Sequence, residues 1–307
     1  MAQSGWGIFQ KRRRPLGRAA LTLTADQLAL VFRAEARREP VALERKGASL
    51  AEAVAGAGAA GMACEWVLEP SQYSLLQVDR PAVPPEEWAQ ALRWKVRDLI
   101  PYPVDDAVMD AFEVPGLEAR GRPPTLYLAV AQKSQLRPRI EEIGAAGLLL
   151  SRIGIAHLAW AAVARQLAPG DESQAVLVIE PRGGSMLAMQ EGILFVARQF
   201  EFDADDQRAL RDPEAGRRER LFERIALELQ RTLDYFDRTH QRPSPRRLLL
   251  LCGIEGLDGL GTALRSLLGL EVQEGAPEQA WPELAGLPLA ARARLAGLSA
   301  LVAEAAP

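Results

Sequence analysis

Cysteine and histidine are scarce in this chain of 307 residues, which contains two of each. Both cysteines, Cys64 and Cys252, lie in apolar, strand-like segments, a setting typical of buried thiols rather than of a disulfide or a metal pair. His157 and His240 lack the spacing of metal ligands, and the isoleucines before His157 indicate a packed residue. The composition therefore predicts a reduced protein without a metal site.

Charge of one sign and long apolar runs are missing as well. The formal net charge is −3, and the sequence contains neither a long basic helix nor an RNA-binding signature, so nucleic acid is not an expected partner. No apolar run is long enough to cross a bilayer. The basic residues Lys11 to Arg14 follow too few apolar residues to form a signal peptide. We therefore expect a cytoplasmic protein.

The common sequence signatures of catalysis are also absent. The chain has no Walker A, nucleophile-elbow, His-Glu metal or kinase signature. Residues 56–61 match the glycine pattern of dinucleotide-binding loops, but they end an alanine-rich helical segment and precede a strand. A cofactor loop needs the reverse order, because a helix N-terminus holds the pyrophosphate. Acidic residues are abundant, so a glycosidase-type carboxylate pair stays open at this stage.

The best-defined local pattern is a helix that stops at an Ile-Pro-Tyr-Pro sequence. Its apolar residues recur at helical spacing and predict one buried stripe, formed by Trp88, Leu92, Val96, Leu99 and Ile100. Trp94 lies off this stripe. Pro101 ends the helix because it has no N–H, and Pro103 keeps the exit extended.

Composition shifts and linkers divide the chain into a tail and two lobes. The expected division is a basic flexible tail at 1–17, lobe 1 at 18–172 with an inserted subdomain at about 84–150, and lobe 2 at 173–307. In the tail, the segment from Trp6 to Arg14 combines apolar and basic residues. Peripheral contact with an anionic membrane is therefore an alternative to a solvated tail.

Each lobe is expected to begin with a strand hairpin. The predicted hairpins join 19–24 to 27–34 and 185–190 to 193–200. Between the second hairpin and a long helix predicted at 218–238, charged residues dominate 203–217. We expect that interval to be a solvated loop.

Two motifs carry a resemblance to a known family. Residues 93–105 contain Arg-Trp-Lys followed by Leu-Ile-Pro-Tyr-Pro-Val-Asp, and 228–236 read Glu-Leu-Gln-Arg-Thr-Leu-Asp-Tyr-Phe. With a weaker match at 250–260 and the order of elements over about 18–300, the chain resembles the PilM/MshI family of pilus-assembly proteins, with the MshI subgroup favoured. The resemblance implies an α/β (α+β), actin-like or ribonuclease-H-like two-lobed fold. It also implies an inserted small subdomain in lobe 1 and a reduced subdomain in lobe 2.

The resemblance marks where a nucleotide would bind. The positions that match the nucleotide-binding turns of ATP-binding members are Thr22, Thr24, Glu180, Gly183, Gly184 and Gly253. Thr22 takes the place of an aspartate that orients the metal ion in those members. Thr24 takes the place of a glycine that lets the backbone approach the phosphate. Pro181 has no N–H to donate to a phosphate. The resemblance therefore implies no enzyme activity, no catalytic residue and no cofactor, and an ATPase that binds ATP with Mg²⁺ is the alternative.

The function that the resemblance implies is a scaffold at the cytoplasmic face of the inner membrane. Such a protein holds the N-terminal cytoplasmic peptide of a PilN-like bitopic membrane protein and contacts other pilus platform proteins. The residues expected to touch the peptide are Trp94, Ile100, Pro101, Tyr102 and Pro103. Trp94 and Tyr102 are rigid amphipathic anchors of the kind enriched at binding hot spots. A further alternative is the GspL-like cytoplasmic domain of a type II secretion platform.

Overall fold

Two five-stranded sheets form the two lobes, and a three-stranded sheet is inserted in the first lobe. The computed structural model describes residues 14–37, 39–113, 124–170, 172–211, 215–240 and 242–304. The strands are β1 (Gly17–Leu23), β2 (Gln27–Ala34), β3 (Val41–Lys46), β4 (Ala63–Leu68), β5 (Tyr73–Asp79), β6 (Ala107–Glu113), β7 (Thr125–Gln132), β8 (Leu149–Ile155), β9 (Gln174–Glu180), β10 (Gly183–Gln190), β11 (Ile193–Glu201), β12 (Arg247–Cys252) and β13 (Glu271–Glu274). The helices are α1 (Leu50–Ala57), α2 (Trp88–Val96), α3 (Lys133–Ala145), α4 (Ala156–Leu167), α5 (Ala204–Arg211), α6 (Ala215–His240), α7 (Leu260–Leu268), α8 (Pro277–Ala280) and α9 (Leu289–Glu304).

The two large sheets repeat one arrangement of strands. The order β3-β2-β1-β4-β8 in lobe 1 corresponds to β11-β10-β9-β12-β13 in lobe 2. In each sheet, three antiparallel strands are followed by two parallel ones. Both predicted hairpins are confirmed. Glu191 and Gly192 join β10 to β11 with φ angles of 51° and 72°, the left-handed conformation that suits two-residue hairpin turns.

Helices α4 and α9 lie between the two large sheets and join the lobes in one core. Val31 and Val67 enter this core from lobe 1, and Val178 and Leu251 enter it from lobe 2. All four side chains are at most 2% exposed. Along β9, Val178 faces this core whereas Leu177 faces α6 and α7, the alternation of a strand buried on both faces.

The inserted sheet has the strand order β5-β7-β6, and α2 covers one of its faces. Leu126, Leu128 and Val130 alternate along β7 and are buried under α2. Tyr127 lies on the opposite face, where it packs against lobe 2 and donates a hydrogen bond to the backbone oxygen of Phe195 at 2.8 Å. The inserted sheet therefore contacts the lobe in which it is not encoded.

The inserted sheet begins earlier than the boundary expected near residue 84. β5 pairs with β7 along its whole length, from Tyr73 opposite Ala131 to Asp79 opposite Thr125. α3, which the sequence placed within the subdomain, buries Ile143 in the core of lobe 1. The partner strand, β7, lies far along the chain from β5. The residues next to β5 in the sequence therefore give no sign of this pairing.

The expectation of a solvated loop at 203–217 is wrong, since α5 lies there. Asp206 and Ala209, one helical turn apart, are 6% and 4% exposed. The carboxylate of Asp206 forms an ion pair with Arg224 of α6, and it also accepts a hydrogen bond from the backbone N–H of Asp203 at 2.9 Å. The arginine that permits this burial belongs to another helix. The charged composition of 203–217 therefore did not indicate that the segment contains a packed helix.

The expected tail falls largely outside the described residues, which begin at Arg14. From there the chain is anchored by the N–H of Leu16, which donates to the backbone oxygen of Gly61 at 3.0 Å. None of the helices among the described residues has the length and apolarity needed to cross a membrane.

Candidate functional site

Helix α2 presents two different faces, and the outer one carries an exposed tryptophan. Trp88, Leu92 and Val96 recur every fourth residue and are buried against the inserted sheet. The indole N–H of Trp88 donates to the backbone oxygen of Val83 at 3.0 Å, which fixes the start of the helix. Trp94 is two residues beyond Leu92, on the far side of the helix, and is 70% exposed.

The expectation that Leu99 completes the buried stripe is wrong, because Leu99 is 55% exposed. Helix α2 ends at Val96, and a turn follows in which the N–H of Leu99 donates to the backbone oxygen of Val96 at 2.9 Å. Pro101 excludes a longer helix, since its ring conflicts with the preceding turn. The turn changes the direction of the following side chains, so helical spacing does not extend past residue 96.

Trp94 and Leu99 border a groove between α2 and β5. Its other lining residues are Gln77, Val78, Asp79, Lys95, Arg97 and Asp98, and its volume is about 700 Å³. The Lys95 ammonium lies 5.7 Å from the centroid of the Trp94 ring, within the range of a cation–π contact. Among the described residues, β5 pairs with β7 alone, so one backbone edge of β5 is free of a strand partner.

The five residues expected to touch a partner peptide do not share one surface. Trp94 faces the groove, whereas Ile100 is 9% exposed and belongs to the core under α2. Tyr102 is half-buried against the same core, and burial raises the pKa of its phenol. Pro101 and Pro103 are exposed on either side of Tyr102. Ile100 thus supports the fold, and Leu99 takes the exposed place beside Trp94.

The turn after α2 is held by polar contacts at both ends. Arg93 donates to the backbone oxygen of Val104 at 2.9 Å and pairs with the Asp105 carboxylate at 3.0 Å. Asp106 accepts hydrogen bonds from the backbone N–H and the hydroxyl of Ser134 at the start of α3. These hydrogen bonds, the hydroxyl first, hold the pKa of Asp106 below its usual range. These contacts fix the residues that directly follow the Pro-Tyr-Pro segment to α2 and α3.

The positions that resemble phosphate-binding turns in lobe 1 serve the hairpin itself. Thr22 is 6% exposed within β1, opposite Ala29 of β2. The hydroxyl of Thr24 accepts the N–H of Gln27 at 3.0 Å and donates to the Asp26 carboxylate at 3.3 Å. Both threonines are thus engaged in the strand and in its turn.

The three glycines of the corresponding turns in lobe 2 are packed against protein. A Cβ on Gly184 would lie 2.5 Å from the ring of Phe200, and one on Gly183 would overlap the backbone oxygen of Phe200. A Cβ on Gly253 would lie 3.1 Å from both the methyl group of Ala293 and the backbone oxygen of Ile179. Close strand and helix packing therefore accounts for glycine at these three positions.

Acidic side chains from both lobes meet where the strands of each sheet end. Glu180 ends β9, and its pKa is raised to about 7, first by burial and then by the charge of Glu69. Burial is also the main cause of a raised pKa at Glu69, which follows β4 and is influenced by Arg294 and Glu44. Arg294 of α9 pairs with Glu44 at 3.4 Å. Burial and the mutual repulsion of Glu69 and Glu180 therefore favour the protonated, neutral forms of these two carboxyl groups.

Tyr73 and His157 form a buried pair near this cleft that the sequence did not reveal. The Tyr73 hydroxyl bonds to Nδ1 of His157 and accepts the His157 backbone N–H at 3.3 Å. Burial lowers the pKa of His157 to about 4 and raises the pKa of Tyr73 well above its usual range. The edge of Trp160 closes the other side of the imidazole. His157 is therefore a neutral packed residue, as its apolar neighbours indicated.

No protein-family model matches the sequence, and no curated protein matches it. Among solved structures, the chain is similar to the PilM–PilN type IV pilus biogenesis complex, with a TM-score of 0.67, 20% identity, and 93% of this chain and 98% of that chain covered. It is also similar to the cytoplasmic domain of EpsL, an inner membrane component of the type II secretion system of Vibrio cholerae. That similarity has a TM-score of 0.54 and 11% identity, and covers 92% of this chain and 95% of that chain.

A third similar structure is a protein of unknown function from Bacteroides thetaiotaomicron that has an actin-like ATPase fold. Its TM-score is 0.51 at 10% identity, with 84% of this chain and 90% of that chain covered. Together with the repeated five-stranded sheets, these similarities confirm the fold expected from the sequence. The chain has the actin-like fold.

Proposed function

We propose that this protein is a PilM-like scaffold of a type IV pilus assembly platform, more narrowly of the MSHA type. In this proposal it lies in the cytoplasm at the inner membrane and binds the N-terminal cytoplasmic peptide of a PilN-like bitopic protein. It does so without hydrolysing ATP. The similarity to the PilM–PilN complex and the motif at 93–105 support the assignment.

The observation that carries the proposal is the Trp94 groove beside the free edge of β5. An extended peptide can add a strand to such an edge, where backbone hydrogen bonds supply affinity and side-chain pockets supply specificity. Trp94 and Leu99, which are 70% and 55% exposed, offer apolar area to alternate side chains of that peptide. A tryptophan this exposed gains most when a partner covers it.

The charges around the groove favour a peptide of mixed polarity. Lys95 and Arg97 lie on the helix side, while Asp79 ends the strand side. Arg97 is paired with Asp98 at 3.2 Å, whereas the Lys95 ammonium lies over the Trp94 ring. An acidic or amide side chain next to an apolar residue of the peptide would match this pattern.

The proposed lack of ATP hydrolysis is supported by the residues of the cleft between the lobes and not by those of the groove. Phe200 and Ala293 occupy the space above Gly184 and Gly253, and Glu69 and Glu180 oppose an anionic ligand. An active ATPase needs an open phosphate cradle and a carboxylate that orients a metal-bound water. Thr22, buried in β1 at the position that the resemblance matches to this carboxylate, has a hydroxyl group instead.

The groove is tested by titrating the full chain with a synthetic peptide that has the cytoplasmic N-terminal sequence of a PilN-like protein from the same genome. Trp94→Ala is expected to raise the dissociation constant about 30-fold, since a central aromatic anchor contributes about 2 kcal/mol or more to binding. Binding is measured by isothermal titration calorimetry.

Leu267→Ala is the matched control, because Leu267 is an apolar side chain of lobe 2 that is 50% exposed. It should bind the peptide like the native chain. Equal affinity of the native and Trp94→Ala chains would remove Trp94 from the site. Equal binding of a scrambled peptide would contradict specific recognition.

A second candidate is the cytoplasmic part of a type II secretion platform, favoured by the similarity to EpsL. The two candidates differ in the partner that the protein retains in cells. Co-purification of pilus platform proteins with the tagged native chain supports the first candidate. Retention of type II secretion proteins in their place supports the second.

A further inference from the structure

Arginine side chains from three strands or their flanks meet in one pocket of lobe 1. The pocket lies where β1 and β4 begin and β2 ends, and its volume is about 910 Å³. Its arginines are Arg14, Arg18, Arg33, Arg37 and Arg152, and its carboxylates are Glu35 and Glu65. Since β1 and β4 run parallel, this pocket is at the opposite end of the sheet from the acidic cleft. It shares no lining residue with the Trp94 groove.

The two carboxylates leave part of this positive charge uncompensated. Arg14 pairs with Glu35 at 3.7 Å, and Arg152 pairs with Glu65 at 3.2 Å. The Arg14–Glu35 pair is long and solvated, with both side chains exposed, whereas Glu65 in the second pair is only 15% exposed. Among the described residues, no carboxylate forms an ion pair with Arg18 or Arg37, and both are exposed. An anion in the pocket would therefore meet arginines ready to donate.

Apolar residues accompany this charge. Leu16, between the two lining residues Pro15 and Gly17, is 63% exposed. The chain enters the described structure at this pocket, and the sequence just before it contains Trp6, Ile8 and Phe9, followed by Lys11 to Arg13. A sequence that combines apolar and basic residues in this way is typical of proteins that bind anionic membranes.

We propose that this pocket binds the phosphate-bearing headgroup of an anionic phospholipid, so that lobe 1 lies directly on the membrane surface. Arg18 and Arg37 contact the phosphate, and Leu16 enters the headgroup region. Guanidinium groups suit this role because they bind phosphate oxygens in a bidentate manner. The proposal goes beyond the peptide-binding function, since it requires no partner protein.

The test is co-sedimentation of the full chain with phosphatidylcholine vesicles, with and without phosphatidylglycerol. Binding is expected only with phosphatidylglycerol, and it should weaken as salt is raised. The double variant Arg18→Gln, Arg37→Gln should bind about 25-fold more weakly, from about fivefold per arginine at an anionic surface. Because both side chains are exposed, the variant should have the same unfolding temperature as the native chain.

The matched control is Arg137→Gln, Arg238→Gln, which removes two exposed arginines outside the pocket and should bind like the native chain. Equal loss in both double variants would overturn the proposal, as would binding to phosphatidylcholine alone. So would a triple variant Lys11→Gln, Arg12→Gln, Arg13→Gln that abolishes binding while the pocket variant retains it. Polyglutamate that binds the pocket arginines as tightly as the vesicles do would show that the pocket takes acidic chains instead.

Discussion

Glu180 shows how a single residue in this protein is governed by charges from the other lobe. It ends β9 of lobe 2, and the carboxylate that raises its pKa further after burial is Glu69 of lobe 1. The sequence resemblance matches this position to a phosphate-binding turn of ATP-binding family members. In this chain a glutamate occupies that position. The space next to Gly184 and Gly253 is occupied by Phe200 and Ala293.

Replacing Glu180 by Gln is expected to stabilise the protein at pH 8 and to have little effect at pH 4. The folded pKa of about 7 exceeds the ordinary value of 4.5, so the folded state disfavours the ionised form. Stability attributable to this group is therefore lost as pH rises from about 4.5 through 7. The free energy of unfolding should rise by at most about 3 kcal/mol at pH 8. Urea unfolding at pH 4 and pH 8 measures it.

Glu271→Gln is the control, since this exposed glutamate lies on the edge strand β13. It should change the free energy of unfolding little at either pH. A stabilisation by Glu180→Gln of the same size at pH 4 and pH 8 would contradict a role for its ionisation.

Among the elements, α5 shows how a charged segment becomes a packed helix. Its sequence is rich in acidic and basic residues, yet Ala209 and the Asp206 carboxylate are buried against its surroundings. Arg224 of α6 holds the start of α5 through Asp206, Asp203 at 2.9 Å and the backbone oxygen of Glu201 at 2.8 Å. This short helix lies between β11 and α6, the interval for which the sequence resemblance implied a reduced subdomain.

Arg224→Met is expected to lower the free energy of unfolding by about 2–3 kcal/mol, because Asp206 would be left buried without its cation. Amide hydrogens of 204–211 should exchange faster than in the native chain. Arg238→Met, an exposed change on the same helix, is the control. Equal effects of the two substitutions on exchange in α5 would show that Arg224 does not hold this helix.

In the whole molecule, the lobes are tied together in two places. One is the shared core around α4 and α9, and the other is the contact between the inserted sheet and lobe 2. In the second contact, Tyr235 of α6 donates to the side-chain oxygen of Gln77 at 2.8 Å, and Tyr127 bonds to Phe195. The strand that lines the Trp94 groove is thus braced from lobe 2, and a peptide bound there would meet a preorganised edge.

The cleft between the lobes is expected to show no saturable binding of ATP with Mg²⁺ below about 1 mM, equivalent to about −4 kcal/mol. Calorimetric titration of the native chain measures this. The variant Glu69→Gln, Glu180→Gln should also fail to bind, because Phe200 and Ala293 still fill the cradle. Micromolar binding by the native chain would overturn the scaffold proposal in favour of an ATPase.

Prediction from sequence succeeded where neighbouring residues determine the structure. The hairpins, the helix before Pro101 and the buried strands follow from apolar periodicity and turn chemistry, which act over a few residues. The family motif indicated the actin-like fold and directed attention to Trp94. Within the segment, however, Leu99 was expected on the buried stripe and is exposed, because a turn rather than a helix follows Val96. Ile100 is buried as that stripe predicted, so its second expected role, contact with a peptide, does not fit its position.

The sequence by itself determined the two hairpins, the fold class and the exposure of Trp94, since spacing along one helix fixes which side chain faces outward. Tertiary structure alone decided the pairing of β5 with β7, the burial of Asp206 and the meeting of Glu69 with Glu180. It also decided the collection of arginines in one pocket. Each of these joins residues that are distant in sequence, and only the packing of whole strands and helices brings such residues within reach of one another.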